Sequence, residues 1–181
     1  VIFDEAHQLP ETASLFFGES VSTSQLIDLA RDSRLEGAAA AKDYAPLPQA
    51  AQDLDRAARD LRLVFTEDSG RIPARTLGGD AGFEAGLAAA LGALDTLAGE
   101  LKTQAERSEG LMGCWQRALS FAEQLERWRS GVDEERVKWV ELFGRALRLH
   151  STPLSIAEIF RRQIDDHARA WIFTSATLSV N

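Results

Sequence analysis

Two short apolar runs, one near each end of the chain, stop abruptly at polar tips, and about 165 residues separate them. The first, Val1-Ile2-Phe3-Asp4-Glu5-Ala6-His7, reads as a buried strand. It delivers two carboxylates at its C-terminal edge, where open α/β sheets place their ligands. The second, Ala170-Trp171-Ile172-Phe173-Thr174-Ser175-Ala176-Thr177-Leu178, reads as a strand that ends in hydroxyls. A carboxylate pair after such a strand suits the hydrolysis of a nucleotide: one Asp helps to hold Mg²⁺ and its neighbour orients the attacking water.

The interior has a different period. Gln8-Leu9-Pro10-Glu11 turns the chain away, and Thr12 to Phe17 continues as a short helix. Ser22-Thr23-Ser24-Gln25 is a helix start, with Ser22 as N-cap and Gln25 three residues on. That helix carries Leu26, Ile27, Leu29 and Ala30 inward and fades near Gly37, ahead of the break at Tyr44-Ala45-Pro46-Leu47-Pro48. Gln49 to Phe65 has an apolar stripe at Leu54, Ala58, Leu61 and Phe65. Thr66 to Gly82, rich in glycine and proline, reads as a loop. Phe83 to Arg107 is the longest helix, with Leu87, Leu91, Leu94, Leu97 and Leu101 on one side; its Gly86, Gly92 and Gly99 suggest close helix packing. Leu111 to Arg129 follows, with Trp115, Ala118, Ala122 and Leu125 at helical spacing and Ser130-Gly131 as its stop. Period-two alternation from Arg136 to Glu141, then Gly144 and Arg145 to His150, predicts a β-hairpin. Ser151-Thr152-Pro153 reads as the start of a helix that runs to about His167. The expected fold is mainly α with a small β element (α+β): four to five helices, with two strands left at the base.

Those end motifs, VIFDEAHQL and WIFTSATLS, resemble motifs II and III of a superfamily 2 helicase. In the plain helicase core the two motifs are separated by a short helical connection. A domain-sized insertion between them is similar to the XPD/DinG family of 5′→3′ iron–sulfur DNA helicases, and the endings look closest to its bacterial DinG-like branch. The resemblance covers only the two ends. It implies residues 1–10 as the motif II strand of the first RecA-like domain, 11–150 as a helical Arch-type insertion, and 151–181 as the return helix with the motif III strand. It implies that the two strands are parallel neighbours, so that the ends of the chain lie close together. Asp4 is then the carboxylate that holds Mg²⁺ through water, and Glu5 the general base for ATP hydrolysis. Ala6 and His7 complete the box, His7 linking the nucleotide site to motif III. Thr174, Ser175, Ala176 and Thr177 couple nucleotide state to DNA movement. The implied parent is a cytoplasmic, nucleoid-associated helicase of DNA repair or replication that uses ATP and Mg²⁺. Its [4Fe–4S] cluster is bound by four cysteines ahead of motif II, outside this chain.

Composition bounds these expectations. The chain has 181 residues, is 45% hydrophobic and 27% charged, and carries a formal charge of −8. It suits one cored domain and argues against a strongly basic nucleic-acid surface, though a local stripe can suffice in a multidomain machine. No purely apolar run approaches the roughly 20 residues that span a bilayer, so no membrane is expected as a partner. A strand at residue 1 without an initiating Met suggests an excised fragment, whose exposed strands favour dimerisation. The single cysteine, Cys114, sits beside Trp115 in a helical pattern and reads as packing. Gly78-Gly79-Asp80-Ala81-Gly82 lacks the lysine of a phosphate loop, so the isolated chain is expected to be inactive, with no cofactor of its own.

Two basic groups are candidate contacts to single-stranded DNA. Arg56, Arg59 and Arg62 lie three apart on one helix, with Arg71 and Arg75 beyond; the plain alternative is a solvated face paired with Asp53, Asp55 and Asp60. Arg136, Lys138, Arg145 and Arg148 surround Trp139 in the presumed hairpin, where Trp139 is either core or a base-stacking surface. Trp115, Trp128 and Trp171 read as packing. A competing function is a non-catalytic helical interaction module with degenerate ends. A DEAH-type RNA helicase fits less well, because its gap between the two motifs is short.

Overall fold

In the computed structural model of the protein, the residues described are 2–3, 18–130, 136–154 and 172–175. The chain divides into two compact units: Ser20–Gly131 with Lys138–His150, and Val1–Glu19 with Val132–Val137 and Ser151–Asn181.

The larger unit is built on four long helices. Helix α1 (Thr23–Ala40) starts at the capping box read from the sequence: Ser22 accepts from the Gln25 N–H at 3.2 Å, and the Gln25 side chain accepts from the Ser22 N–H at 2.8 Å. Helix α2 (Pro46–Leu63) opens on proline in its first turn, so the Pro-rich break initiates a helix at once. A short helix, α3 (Ala74–Leu77), precedes α4 (Ala81–Gln104), which Asp80 caps by accepting from the Phe83 N–H at 2.9 Å. Gly78-Gly79-Asp80 thus serves as the lead-in to a helix. A 3₁₀ turn (Ala105–Arg107) extends α4, and α5 (Glu109–Arg129) follows, capped by Ser108. Glu109 at its start and Arg127 and Arg129 at its end oppose the helix dipole.

These helices close a ring of contacts: α1 on α2, α2 on α4, α4 on α5, and α5 back on α1. The predicted leucine stripe of α4 is buried throughout, from Leu87 to Leu101. By length and composition Ala81–Arg107 could cross a bilayer; packed against α2 and α5, it behaves as the apolar core helix of a bundle. Of the three glycines singled out in the sequence, Gly86 marks close approach, a Cβ there meeting Leu61 Cδ1 at 3.2 Å, whereas Gly92 and Gly99 face open space. A tighter approach falls at Gly37, where a Cβ would lie 2.8 Å from Leu47 Cδ2 and hold α1 away from α2.

Four strands form the second layer, in the order β2 (Glu19–Ser22), β5 (Ala146–Pro153), β4 (Arg136–Phe143), β3 (Ser69–Pro73). The hairpin β4–β5 turns at Gly144, whose φ of 56° lies in the left-handed region that glycine favours. Val140, Leu142, Leu147 and Leu149 pack into the same core as the helices. Two expectations are corrected here. The glycine-rich segment read as a loop contains β3, antiparallel to β4 from Ser69↔Phe143 to Pro73↔Trp139. Ser151-Thr152-Pro153 ends β5 rather than starting a helix: the Arg136 guanidinium donates to Ser151 Oγ and O at 2.8 and 2.9 Å, and this cross-strand bonding outweighs the local helix signal. The short helix read over Thr12 to Phe17 and the helix read toward His167 lie outside the described residues.

In the smaller unit, β1 (Ile2–Phe3) pairs in parallel with β6 (Ile172–Phe173), in the register Ile2↔Ile172 and Phe3↔Phe173. The two end motifs thus begin on neighbouring parallel strands, as the resemblance implied. The described architecture is mainly helical with a small β element.

Candidate functional site

Thr174 and Ser175 follow β6 directly; Thr174 is exposed and Ser175 half-buried. Asp4, Glu5, Ala6, His7, Ala176 and Thr177 lie outside the described residues, as does Trp171.

The helical arginines separate into two kinds. Arg56 lies 3.9 Å from Asp53, and Arg59 makes a two-point pair with Asp55 at 2.8 and 2.9 Å. Both pairs are on exposed helix surface, the plain alternative for this stripe. Arg62 is 8% exposed and spends its guanidinium on backbone carbonyls: Gly144 O at 2.7 and 3.1 Å, Phe65 O at 3.0 Å and Glu67 O at 2.8 Å. It ties the end of α2 to the hairpin turn.

The hairpin residues also divide, by the strict alternation of β4. Arg136 bonds Ser151, while Lys138 donates to the last carbonyls of α5, Arg127 O at 3.0 Å and Trp128 O at 3.1 Å. These two cations have structural partners on the side of Val140 and Leu142. Trp139, Glu141 and Phe143 point the other way.

That outer face is the most organised cluster of polar and aromatic side chains among the described residues. Trp139 stacks on His150 across the hairpin, with centroids 4.6 Å apart and planes 5° from parallel. Glu141 bridges three strands, accepting from Arg71 Nε on β3 at 2.9 Å and lying 3.0 Å from His150 Nε2 on β5. Arg148 lies over the Phe143 ring, 5.1 Å from its centroid, and Arg145 is exposed in the turn. Hydrogen bonds from Arg71 and then His150 hold the Glu141 carboxyl below its usual value. Burial pushes the His150 ring below its own, against the pull of Glu141. The indole Nε1 of Trp139 is buried without an acceptor among the described residues, a cost of about 1–3 kcal/mol. Trp139 is therefore half-buried and stacked, between core and free surface.

Of the residues raised from the sequence, Trp139, Arg148 and Arg71 lie on this face, with Arg145 exposed in the adjoining turn; Arg56, Arg59, Arg62, Arg136 and Lys138 have partners elsewhere. Sequence reasoning missed Phe143, Glu141 and His150. The signal was present: alternation through β4, mirrored about Gly144, places 139, 141 and 143 beside 146, 148 and 150. Among the described residues, no group of three or more His, Cys, Asp or Glu side chains could hold a metal ion. Cys114, the chain's one cysteine, is buried, and burial raises its pKa. It cannot supply four thiolates, so the described residues do not fit an iron–sulfur cluster.

No protein-family model matches the chain. It is 35% identical over 181 residues to the ATP-dependent DNA helicase YoaA of Escherichia coli (strain K12), an alignment covering 100% of this chain and 28% of that protein. The protein of the same name from Haemophilus influenzae (strain ATCC 51907 / DSM 11121 / KW20 / Rd) is also 35% identical over 181 residues, covering 99% of this chain and 28% of that protein. The chain thus spans little more than a quarter of the length of the curated relatives it matches.

Proposed function

We propose that this chain, a DinG/YoaA-like helicase segment by its likeness along its whole length, belongs to an ATP-dependent 5′→3′ DNA helicase that serves repair or replication in the bacterial cytoplasm. The observation that carries the reading is the parallel pairing of β1 with β6. Adjacent parallel strands followed in sequence by Asp4-Glu5 and by Thr174-Ser175 suit a motor that joins a hydrolytic carboxylate pair to a coupling segment.

In this reading Asp4 holds Mg²⁺ through water, and Glu5 takes the proton of the water that attacks the γ-phosphate of ATP. Mg²⁺, when bound, neutralises charge on the transferring phosphoryl group. Ala6 and His7 complete the box, with His7 linking the nucleotide site to motif III. Thr174, Ser175, Ala176 and Thr177 pass the nucleotide state to the DNA path by exchanging hydrogen bonds. The helical insertion helps to form the passage for single-stranded DNA, with Trp139, Arg145 and Arg148 the contacts that the outer sheet face favours. An iron–sulfur cluster of the parent would be held by residues outside this chain, and no step here runs through it.

The test uses the full-length parent. Glu5→Gln should lower ATP turnover at least about 100-fold while nucleotide still binds. Thr174→Ala should spare most turnover and lower strand separation. Hydrolysis at the normal rate by the Glu5→Gln protein would refute the assignment. The isolated chain should show no turnover above buffer; a rate that Glu5→Gln abolishes would contradict this.

A further inference from the structure

The geometry points to a stacking site for one unpaired base at the tip of the β4–β5 hairpin, formed by Phe143 with Arg148 and Arg145. The inference rests on the reading that the parent acts on single-stranded DNA. Phe143 is 39% exposed, one of the few large apolar side chains left to solvent. Arg148 already lies over one face of the ring, 5.1 Å from its centroid, so a base stacks on the outer side of the guanidinium or on the ring's other face. Arg145 is exposed one residue beyond Gly144. Guanidinium planes and phenyl rings both accept a nucleobase face to face, whatever its sequence.

The tip is also held rigid, which lowers the entropy lost on binding. Buried Arg62 donates twice to Gly144 O, and the Gly144 N–H donates to Asp68 O at 2.9 Å. The cationic groups at this braced turn are Arg148, over the ring, and Arg145, exposed beside Gly144. Glu67 and Asp68 in the adjoining loop weaken the grip on a phosphate, so stacking rather than charge carries the affinity.

The probe is a dT oligonucleotide with a single 2-aminopurine, titrated into the full-length protein that contains this chain. Phe143→Ala should weaken binding roughly 5- to 150-fold and abolish the 2-aminopurine response. Phe143→Trp should bind within about twofold of the unaltered protein, because it restores an aromatic face. Arg148→Lys, which keeps the charge and loses the plane, should show a partial loss. Phe143→Ala binding within about twofold of the unaltered protein, or Phe143→Trp losing as much as Phe143→Ala, would overturn the site while leaving the DNA reading intact. Failure of the unaltered protein to bind the oligonucleotide would overturn the DNA reading and the site with it. Normal oligonucleotide binding by Phe143→Ala with loss of a protein partner would assign the tip to protein docking and overturn the proposal.

Discussion

Arg62 shows how far a sequence pattern can mislead at a single residue. Spaced three and six residues from Arg59 and Arg56, it reads as the third member of a cationic stripe. Yet it is buried, and its carbonyl partners lie three, five and 82 residues away. Local periodicity carries no information about the last of these. Arg62→Ala should destabilise the chain by about 1–3 kcal/mol, because it removes the buried guanidinium that pairs three backbone carbonyls, with Arg62→Lys recovering part; the urea midpoint measures both. His150 yields a second expectation. Burial lowers its pKa from the ordinary 6.5, so the folded chain takes up the proton less readily than the unfolded one. Its stabilising contribution is therefore complete above that value and declines as pH falls through it. Glu141, held below 4.5, retains its own contribution above that value and loses it only at lower pH. Unfolding midpoints should fall from pH 7.5 to pH 5.5, and His150→Gln should flatten that slope. Equal slopes in the two proteins would exclude His150 as its source.

Among the elements, legibility followed the strength of the local signal. The capping box at Ser22, the leucine stripe of α4 and the alternation of β4 each repeat one instruction several times, and each element formed where it was read. Strand β3 was illegible because four of its five residues are exposed and no face alternates; only its partner β4 defines it. The glycines of α4 were legible as a class but not individually. Gly92→Ala should stabilise the bundle by about 0.8–1 kcal/mol, since the site is open and alanine is the better helix former. Gly86→Ala should gain less or lose, because Leu61 must give way. Thermal midpoints of the two variants, compared side by side, test whether close packing is confined to Gly86. At the start of α1, Ser22→Ala should cost about 1 kcal/mol, the usual worth of such a cap.

For the whole molecule, the two ends carried most of what could be read about function, and the middle carried most of what could be read about fold. The end motifs named a family that the likeness of the whole chain to part of the YoaA proteins supports. No pattern in the helices named a ligand, because a bundle core is built alike whatever its surface does. The outer sheet face had to be assembled from three strands before its aromatic and charged members could be seen as neighbours. Strands β1 and β6 carry one more implication. Parallel neighbours lie about 4.8 Å apart and need a crossover of only a dozen or so residues. Everything between them beyond that minimum is, for the sheet, optional cargo. A connection of that kind can lengthen or shrink without changing the pairing of the strands it joins, so the register of the small sheet sets no limit on what the chain between them builds.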